Sequence, residues 1–272
     1  MKAAVVRIYS ENADFQHIET LRRNRTKRRR SGEFFVEGVR PINQALAHGW
    51  TINGLVYSRD KRLSDWAEGV LASGRAKTHY ELSASLMEKL SQKEAPSELL
   101  AIVAIPADDL ARIPVGDRLL AVVFDRPASP GNLGAVIRSC DALAVDGVIL
   151  TGHAVDLYDP ETIRATTGSF FAVPAVRLPS HNELTPWLDT LRRRLPRLQV
   201  VGTSAKAAIR ICDHDFTSPT VLLIGNENHG LSESYRALCD ALVTIPMAGS
   251  ATSLNVACAT SILLYEIARQ RG

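Results

Sequence analysis

Four cysteines in 272 residues, none in a C-x-x-C pair, leave no basis for a disulfide framework or a cysteine zinc site. Cys140, Cys212, Cys239 and Cys258 lie in or beside apolar helical or strand patterns and read as reduced core residues. No run approaches the roughly eighteen apolar residues of a membrane span. The opening MKAAVVRIYSENADF has an apolar run too short and too soon interrupted for a secretory signal, so the cytoplasm is the expected compartment. No internal repeat occurs, and no G-x-G-x-x-G, which weighs against a nicotinamide dinucleotide site. What remains, 46% hydrophobic and 22% charged, is the composition of a globular protein of one or two domains able to bury real cores.

Charge is uneven along the chain. Residues 1–115 hold 18 Lys and Arg against 14 Asp and Glu, whereas residues 116–272 hold 14 against 15. Seven cations crowd the nine residues Arg22-Arg-Asn-Arg-Thr-Lys-Arg-Arg-Arg30. Such a cluster either neutralises phosphates and releases counterions or forms a solvated basic arm. The residues C-terminal to it tie it to a compact fold: Phe34 to Arg40 is a strand candidate, Pro41 to His48 a helix stopped by Gly49, and Ile52 to Tyr57 a second strand. Helices are expected over Asp65 to Ser73 and Ser83 to Leu90, a strand over Leu99 to Ile105, and a linker over Pro106 to Gly116. The expected domains are therefore residues 1–110 and 111–272. In the second, strands at 119–125, 148–151, 172–176, 198–203, 220–224 and 242–246 alternate with helices at 133–144, 160–167, 183–194, 231–238 and 253–270. That alternation predicts an α/β fold with a mostly parallel sheet covered by helices.

Three polar stretches each follow an apolar strand candidate: Asp125 to Arg138, Leu223 to Leu231, and Ile245 to Val256. Loops after the carboxyl ends of parallel strands are where ligands bind in open α/β sheets, so the three point to one cleft. In the first, Pro130-Gly-Asn-Leu-Gly134 makes a tight turn with Asn132 as N-cap, and Leu133, Val136, Ile137, Cys140 and Leu143 mark an apolar helix face. Arg138 falls off that face; its bland role is a weak pair with Asp141, worth about 0.5 kcal/mol. In the second, Gly and Asn suit turns and Glu227 suits a helix start. His229 has no second His or Cys at ligand spacing and reads as a solvent-facing loop residue. In the third, Ser253 is the expected N-cap of a helix burying Val256, Ala257, Ile262, Leu263 and Ile267. Asn255, a poor helix former placed inside the first turn, has no structural reason to be there, which marks it as functional.

In order and spacing these stretches resemble the three motifs of the SpoU (TrmH) family of RNA 2′-O-ribose methyltransferases. The matched residues are Asn132, Gly134 and Arg138; Gly225, Asn226, Glu227, Gly230 and Leu231; and Ile245, Pro246, Met247, Gly249, Ser253, Leu254 and Asn255. In the front half, Asn24, Arg25, Lys27, Gly32, Phe34, Val36, Glu37, Gly38 and Arg40 resemble the opening of that family's substrate-binding domain, akin to ribosomal protein L30e. Residues 156–180 look closest to avilamycin-type resistance methyltransferases, which act on large-subunit ribosomal RNA. Ala257-Cys258, where Ser-Val-like pairs are common, is a departure that touches no matched functional position. The resemblance implies a trefoil-knotted (SPOUT) catalytic domain, a homodimer, and S-adenosylmethionine in a cleft of the carboxyl-terminal loops. A knot is not something residue patterns could have reached. It implies cofactor contacts by Thr203, Gly225, Asn226, Ile245, Met247 and Leu254, and places Asn132, Arg138, Glu227, Ser253 and Asn255 at the target ribose. The front domain would carry RNA on Arg22, Arg23, Arg25, Lys27, Arg28, Arg29, Arg30 and Arg40, and no metal is required.

Methyl transfer from a sulfonium to a ribose hydroxyl is an in-line displacement by a nucleophile that is weak until its proton is lost. Arg138 matches the position often cast as the base. Deprotonating a free arginine at pH 7, from a pKa of about 12.5–13.8, costs roughly 8 kcal/mol. Two roles stay open: a base with a depressed pKa, or a fixed cation that binds the neighbouring phosphate and stabilises the developing alkoxide. Of the other function classes, a non-catalytic RNA-binding protein leaves the three loops unexplained, and a nicotinamide oxidoreductase lacks its fingerprint. A transfer RNA substrate is also open, although family members acting on transfer RNA commonly lack a front domain.

Overall fold

A computed structural model describes residues 3–91, 93 and 95–272. The chain divides into two compact units, Met1–Pro106 with Tyr158–Ala172, and Ala107–Leu157 with Val173–Gly272. The contiguous 111–272 body expected from the pattern is thus interrupted. The cause is aromatic: Tyr158, Phe170 and Phe171 pack around Phe34 and Trp50 with ring centroids 5.0 to 6.3 Å apart.

The first unit runs β1 (Ala4–Ile8), α1 (Ala13–Arg23), α2 (Arg25–Ser31), β2 (Glu33–Glu37), α3 (Val39–Ala47), β3 (Ile52–Ser58), α4 (Asp65–Ala72), β4 (Ala76–Leu82), α5 (Ala84–Leu90) and β5 (Leu99–Ala104). Its sheet has the order β1-β4-β3-β5-β2, with β1, β4 and β3 mutually parallel and β5 antiparallel to both β3 and β2. α1 forms because Asn12 caps it and Phe15, Ile18 and Leu21 recur on one face, which buries against Phe35, Val56, Leu86 and Leu100. α2 has no such face. It consists of RTKRRRS, and its ends hold it instead: the Asn24 side chain accepts from Lys27 N, and Gly32, at φ 67°, donates its N–H to the Arg28 carbonyl.

The second unit runs β6 (Leu120–Asp125), α6 (Pro130–Ala142) and β7 (Gly147–Thr151), and after α7 (Pro160–Ala165), which belongs to the first, β8 (Ala175–Leu178), α8 (His181–Arg194), β9 (Gln199–Thr203), β10 (Ile209–Arg210), β11 (Thr220–Ile224), α9 (Glu233–Arg236), β12 (Ala241–Thr244) and α10 (Val256–Arg271). Its seven strands are all parallel, in the order β10-β12-β9-β11-β6-β7-β8. β6, β7 and β11 are buried along their whole length, as a sheet covered on both faces requires. Ala121, Val123, Val221 and Leu223 pack with Leu184, Leu188 and Leu191 of α8. α6 and α10 lie side by side, joined by a 2.7 Å hydrogen bond between the Ser139 and Ser261 hydroxyls. Among the described residues no helix is long and apolar enough to cross a membrane. Of the cysteines, Cys140 is buried but Cys212 and Cys258 are exposed, so the expectation of four core thiols is corrected.

Candidate active site

The loops after β6, β11 and β12 leave the carboxyl ends of neighbouring strands, with β9 between β12 and β11. The second loop lies so close to its own strand that a Cβ on Gly225 would stand 2.2 Å from the backbone of Gly230 and Leu231. Only glycine fits there, because backbone atoms cannot rotate aside. Gly225 therefore answers a packing demand and does not line the cleft described below. Asn226 is likewise occupied: its Nδ2 donates to the Arg126 carbonyl at 2.7 Å, and its Oδ1 accepts from Asn228 N and His229 N. Its side chain holds the loop in shape.

A chain of side-chain hydrogen bonds runs across all three loops. Asn255 Nδ2 donates to Asn132 Oδ1 at 3.0 Å, and Asn132 Nδ2 donates to Glu227 Oε1 at 3.3 Å. The Glu227 carboxylate also accepts from Ala128 N, at 3.1 Å to Oε2. Two expected caps are corrected here. Ser129, not Asn132, caps α6, with Pro130 opening the helix and Asn132 in its first turn. Asn255, not Ser253, caps α10, its Oδ1 accepting from Ala257 N and Cys258 N. Asn255 thus has the structural reason the pattern failed to find, because its amide oxygen serves the helix while its nitrogen reaches Asn132. On α10, Ile262 is 39% exposed while Thr260 and Leu264 take buried positions, another correction.

Beside this chain lies a cleft of about 140 Å³ lined by Thr203, Ile245, Met247, Ser253, Leu254 and Leu263 among others. Four of the six expected cofactor residues meet there. Its walls are mostly apolar, and Pro246 to Asn255 at its edge are all exposed. The Thr203 hydroxyl donates to the Leu223 carbonyl at 3.2 Å, which leaves its methyl and backbone for the cleft. Arg138 is exposed on α6 and has no side-chain hydrogen bond or ion pair among the described residues, so the pair with Asp141 is not formed. His229 is exposed, and no group of three or more His, Cys, Asp or Glu among the described residues is placed to hold a metal.

One pair has no counterpart among the expected site residues. Asp125, the buried last residue of β6, accepts from Arg126 Nε and Nη2 at 2.9 and 3.0 Å and from Ser232 N at 3.2 Å. Arg126 itself sits at φ 51°, a left-handed conformation uncommon outside glycine, asparagine and aspartate. The two residues fasten both ends of the β11 loop, through Asn226 at its start and Ser232 at its end, with Glu227 between them. The available signal was an acidic residue closing an otherwise apolar strand, since a buried carboxylate needs partners.

In the basic stretch the cations separate into two kinds. Arg22 donates through Nη1 to the carbonyls of Lys89, Leu90 and Ser91 at 2.9 to 3.0 Å, capping the end of α5. Arg28, 2% exposed, donates to the Leu21 and Arg22 carbonyls and pairs with Asp159 at 3.2 Å. For these two the RNA-binding expectation is corrected: they staple the unit together. Arg25 is half-buried, whereas Arg23, Lys27, Arg29, Arg30 and Arg40 are exposed.

Residues 119–265 match the SpoU rRNA Methylase family, and residues 12–101 match the SpoU L30e-like domain. The chain is 50% identical over 268 residues, 98% of its own length and 93% of the other's, to a 23S rRNA (uridine(2479)-2'-O)-methyltransferase of Streptomyces viridochromogenes. The crystal structure of the SpoU methyltransferase AviRb from that organism, in complex with the cofactor AdoMet, superposes with a TM-score of 0.91 at 50% identity, covering 96% of this chain and 98% of that one. An AdoMet-bound rRNA methyltransferase from Sinorhizobium meliloti superposes with a TM-score of 0.86 at 32% identity, covering 97% and 98%. A family profile spanning the parallel sheet and all three loops, together with a half-identical relative spanning both units, makes this chain a member of the SpoU rRNA methylase family.

Proposed function

We propose that this protein transfers a methyl group from S-adenosylmethionine to a ribose 2′-hydroxyl of 23S ribosomal RNA. The observation that carries the reading is the hydrogen-bonded chain Asn255–Asn132–Glu227 spanning three loops beside an apolar cleft. The cleft suits the cofactor: apolar side chains of Ile245, Met247, Leu254 and Leu263 offer a dry wall for an adenine ring, and the exposed loop backbone offers hydrogen-bonding groups. Thr203, Ile245, Met247 and Leu254 would hold it, with Gly225 and Asn226 shaping the neighbouring loop. Bound there, S-adenosylmethionine supplies an electrophilic methyl group.

The protein's own residues then position and polarise the ribose. Asn132, Glu227 and Asn255 hold one another in fixed orientation, so they present preorganised polar groups to the sugar. Ser253 lies at the mouth of the cleft and donates to the same substrate. Arg138, whose guanidinium has no partner among the described residues, acts as a fixed cation on the adjoining phosphate and the developing alkoxide, a role its planar fork suits and one that needs no deprotonation. Arg23, Arg25, Lys27, Arg29, Arg30 and Arg40 carry RNA backbone.

The assembly belongs to the same proposal. Met247, Leu254, Ile262 and Tyr265 are 37 to 63% exposed, apolar surface that a second copy of the chain covers in a homodimer. The trefoil path belongs to the same reading, resting on membership of the SpoU family and on a non-sequential strand order that fits it. The protein acts in the cytoplasm, and protection against an antibiotic bound to the large subunit is its biological outcome. S-adenosylmethionine at about 100 times its dissociation constant should add about 2.7 kcal/mol and raise the melting temperature, and NAD should not. Mapping of 2′-O-methylation on ribosomal RNA with and without the enzyme then locates the target. Absence of any shift with S-adenosylmethionine or its demethylated product would refute the assignment.

A further inference from the structure

The first unit contains a second set of loops at the carboxyl ends of parallel strands. β1, β4 and β3 end in register, with Ile8 opposite Leu82 and Leu82 opposite Ser58. Directly after them come Tyr9, Ser83 and the run Arg59-Asp60-Lys61-Arg62. Two hydrogen bonds tie the latter loops together: Arg59 N donates to the Leu82 carbonyl at 3.0 Å, and Ala84 N donates to Asp60 Oδ2 at 2.8 Å. Tyr9 is 67% exposed, and the Arg59 guanidinium lies over its ring, 4.8 Å from the centroid. Beside them is a cavity of about 80 Å³ lined by Ser58, Lys61, Arg62 and Glu98 among others. The Glu98 carboxylate is already engaged by the backbone N–H and hydroxyl of Ser64, at 3.0 and 2.6 Å. Lys61 and Arg62 are exposed and make no ion pair among the described residues.

We propose that this edge is an RNA contact separate from the basic stretch around α2, taking one unstacked nucleotide with its base on the Tyr9 ring and the Arg59 plane and its phosphate at Lys61 and Arg62. Within the unit Arg59 also lies 3.6 Å from the Asp60 carboxylate, an exposed pair worth little to stability. An exposed tyrosine contributes no core burial, and an arginine held over its ring restricts two long side chains for a small gain in water. That arrangement is what unpaired RNA uses, since every base offers a face to stack on an aromatic ring or a guanidinium plane. Cations two and three residues further on then stand where the backbone of the same strand must pass. Ligands collect at the carboxyl ends of parallel strands for the same geometric reason in both units.

The inference rests on an RNA substrate, so binding and methylation are measured separately. A fragment of 23S ribosomal RNA is titrated into the full-length protein without S-adenosylmethionine, and single-turnover methylation of the same fragment is measured afterwards. Tyr9→Ala should weaken RNA binding at least about fivefold, the lower end of what stacking one base contributes, and should leave S-adenosylmethionine affinity unchanged. Tyr9→Trp should restore it to within about twofold, because the indole keeps a stacking face. Lys61→Gln with Arg62→Gln should lower the slope of log affinity against log salt by about 1.4, two single-strand phosphates' worth, a change Tyr9→Ala should not make. Tyr9→Ala binding within twofold of wild type, or Tyr9→Trp no better than Tyr9→Ala, overturns the site. Wild-type protein that binds the fragment without methylating it refutes the proposed activity but leaves the nucleotide site standing, and failure to bind any RNA overturns both.

Discussion

Asp125→Asn should uncouple the β11 loop from β6 and lower both stability and methylation. Asparagine keeps the shape but presents one oxygen where the carboxylate offers two, and three donors converge on that carboxylate. The pair with Arg126 has a cation whose side chain is 37% exposed, so solvent screening limits its loss to about 1 kcal/mol. The Ser232 N–H falls from a charged to a neutral acceptor, about 1 kcal/mol more, and the new amide nitrogen faces a donor rather than an acceptor, a further cost of about 1 kcal/mol. The expected total is about 2 to 3 kcal/mol, concentrated where β6 and β11 end. Urea unfolding read by hydrogen exchange of the β6 and β11 amides measures it directly. Methylation should fall as well, because Glu227 lies between the loop's two anchors, while S-adenosylmethionine affinity should change little because the lining of the cleft comes from other strands. A loss below about 0.5 kcal/mol, within ordinary surface substitution, together with an unchanged methylation rate, would show that the pair anchors nothing.

Arg22→Ala should destabilise the first unit by about 2 kcal/mol, since a charged donor to three carbonyls is removed, whereas Arg29→Gln should change stability by less than about 0.5 kcal/mol and flatten the salt dependence of RNA binding; chemical denaturation and salt titration separate the two. The hydrogen bond between His17 Nε2 and Glu33 at 2.9 Å pushes the histidine above its ordinary 6.5 and the glutamate below its ordinary 4.5. Its stabilisation is therefore complete between about pH 4.5 and 6.5, is lost as pH rises through the raised histidine value or falls through the lowered glutamate value, and in urea titrations the difference between pH 5.5 and pH 8.5 should shrink in His17→Gln. Arg138→Ala should leave the fold and cofactor affinity intact and abolish single-turnover methylation, and Arg138→Lys should rescue poorly; a rate for the alanine variant within about threefold of wild type, about 0.6 kcal/mol in the barrier, would return Arg138 to the solvated surface.

What could be read from the sequence divides along the two sheets. In the second unit β6, β7 and β11 are buried on both faces and appear as apolar runs, and these with β9 and β12 lie within about two residues of their expected places, whereas the short exposed β10 was not visible. The first unit's β1 and β4 were not visible in the pattern. AVVRI forms an edge strand with a wet face, and AKTHYEL carries four polar residues because only one side of it meets the core. α2 was hidden for a different reason, since a helix with no apolar face is held entirely by Asn24, Gly32 and the buried Arg28. Likewise the 158–172 segment reads as part of an alternating β/α pattern, and the aromatic packing of Tyr158, Phe170 and Phe171 on Phe34 and Trp50, with the Arg28–Asp159 pair and the Trp50 Nε1 to Phe171 carbonyl hydrogen bond, places it in the first unit.

The site divides in a related way. The three loops were legible because glycine, asparagine and an acidic residue after a buried strand are locally unusual, but composition could not separate residues that build a loop from residues that face its ligand. Gly225 and Asn226 belong to the first kind, one by a 2.2 Å approach of backbone and the other by bonding Arg126, Asn228 and His229. Asn255 belongs to both, and that is informative. A serine could cap α10 as well, since a hydroxyl also accepts from the first-turn amides. Only an amide both accepts there and, through its nitrogen, donates to Asn132, which in turn donates to Glu227. The choice of asparagine over serine at the cap thus joins the start of α10 to the other two loops, and it makes the orientation of the groups facing the cleft a property of the fold rather than of any single flexible side chain.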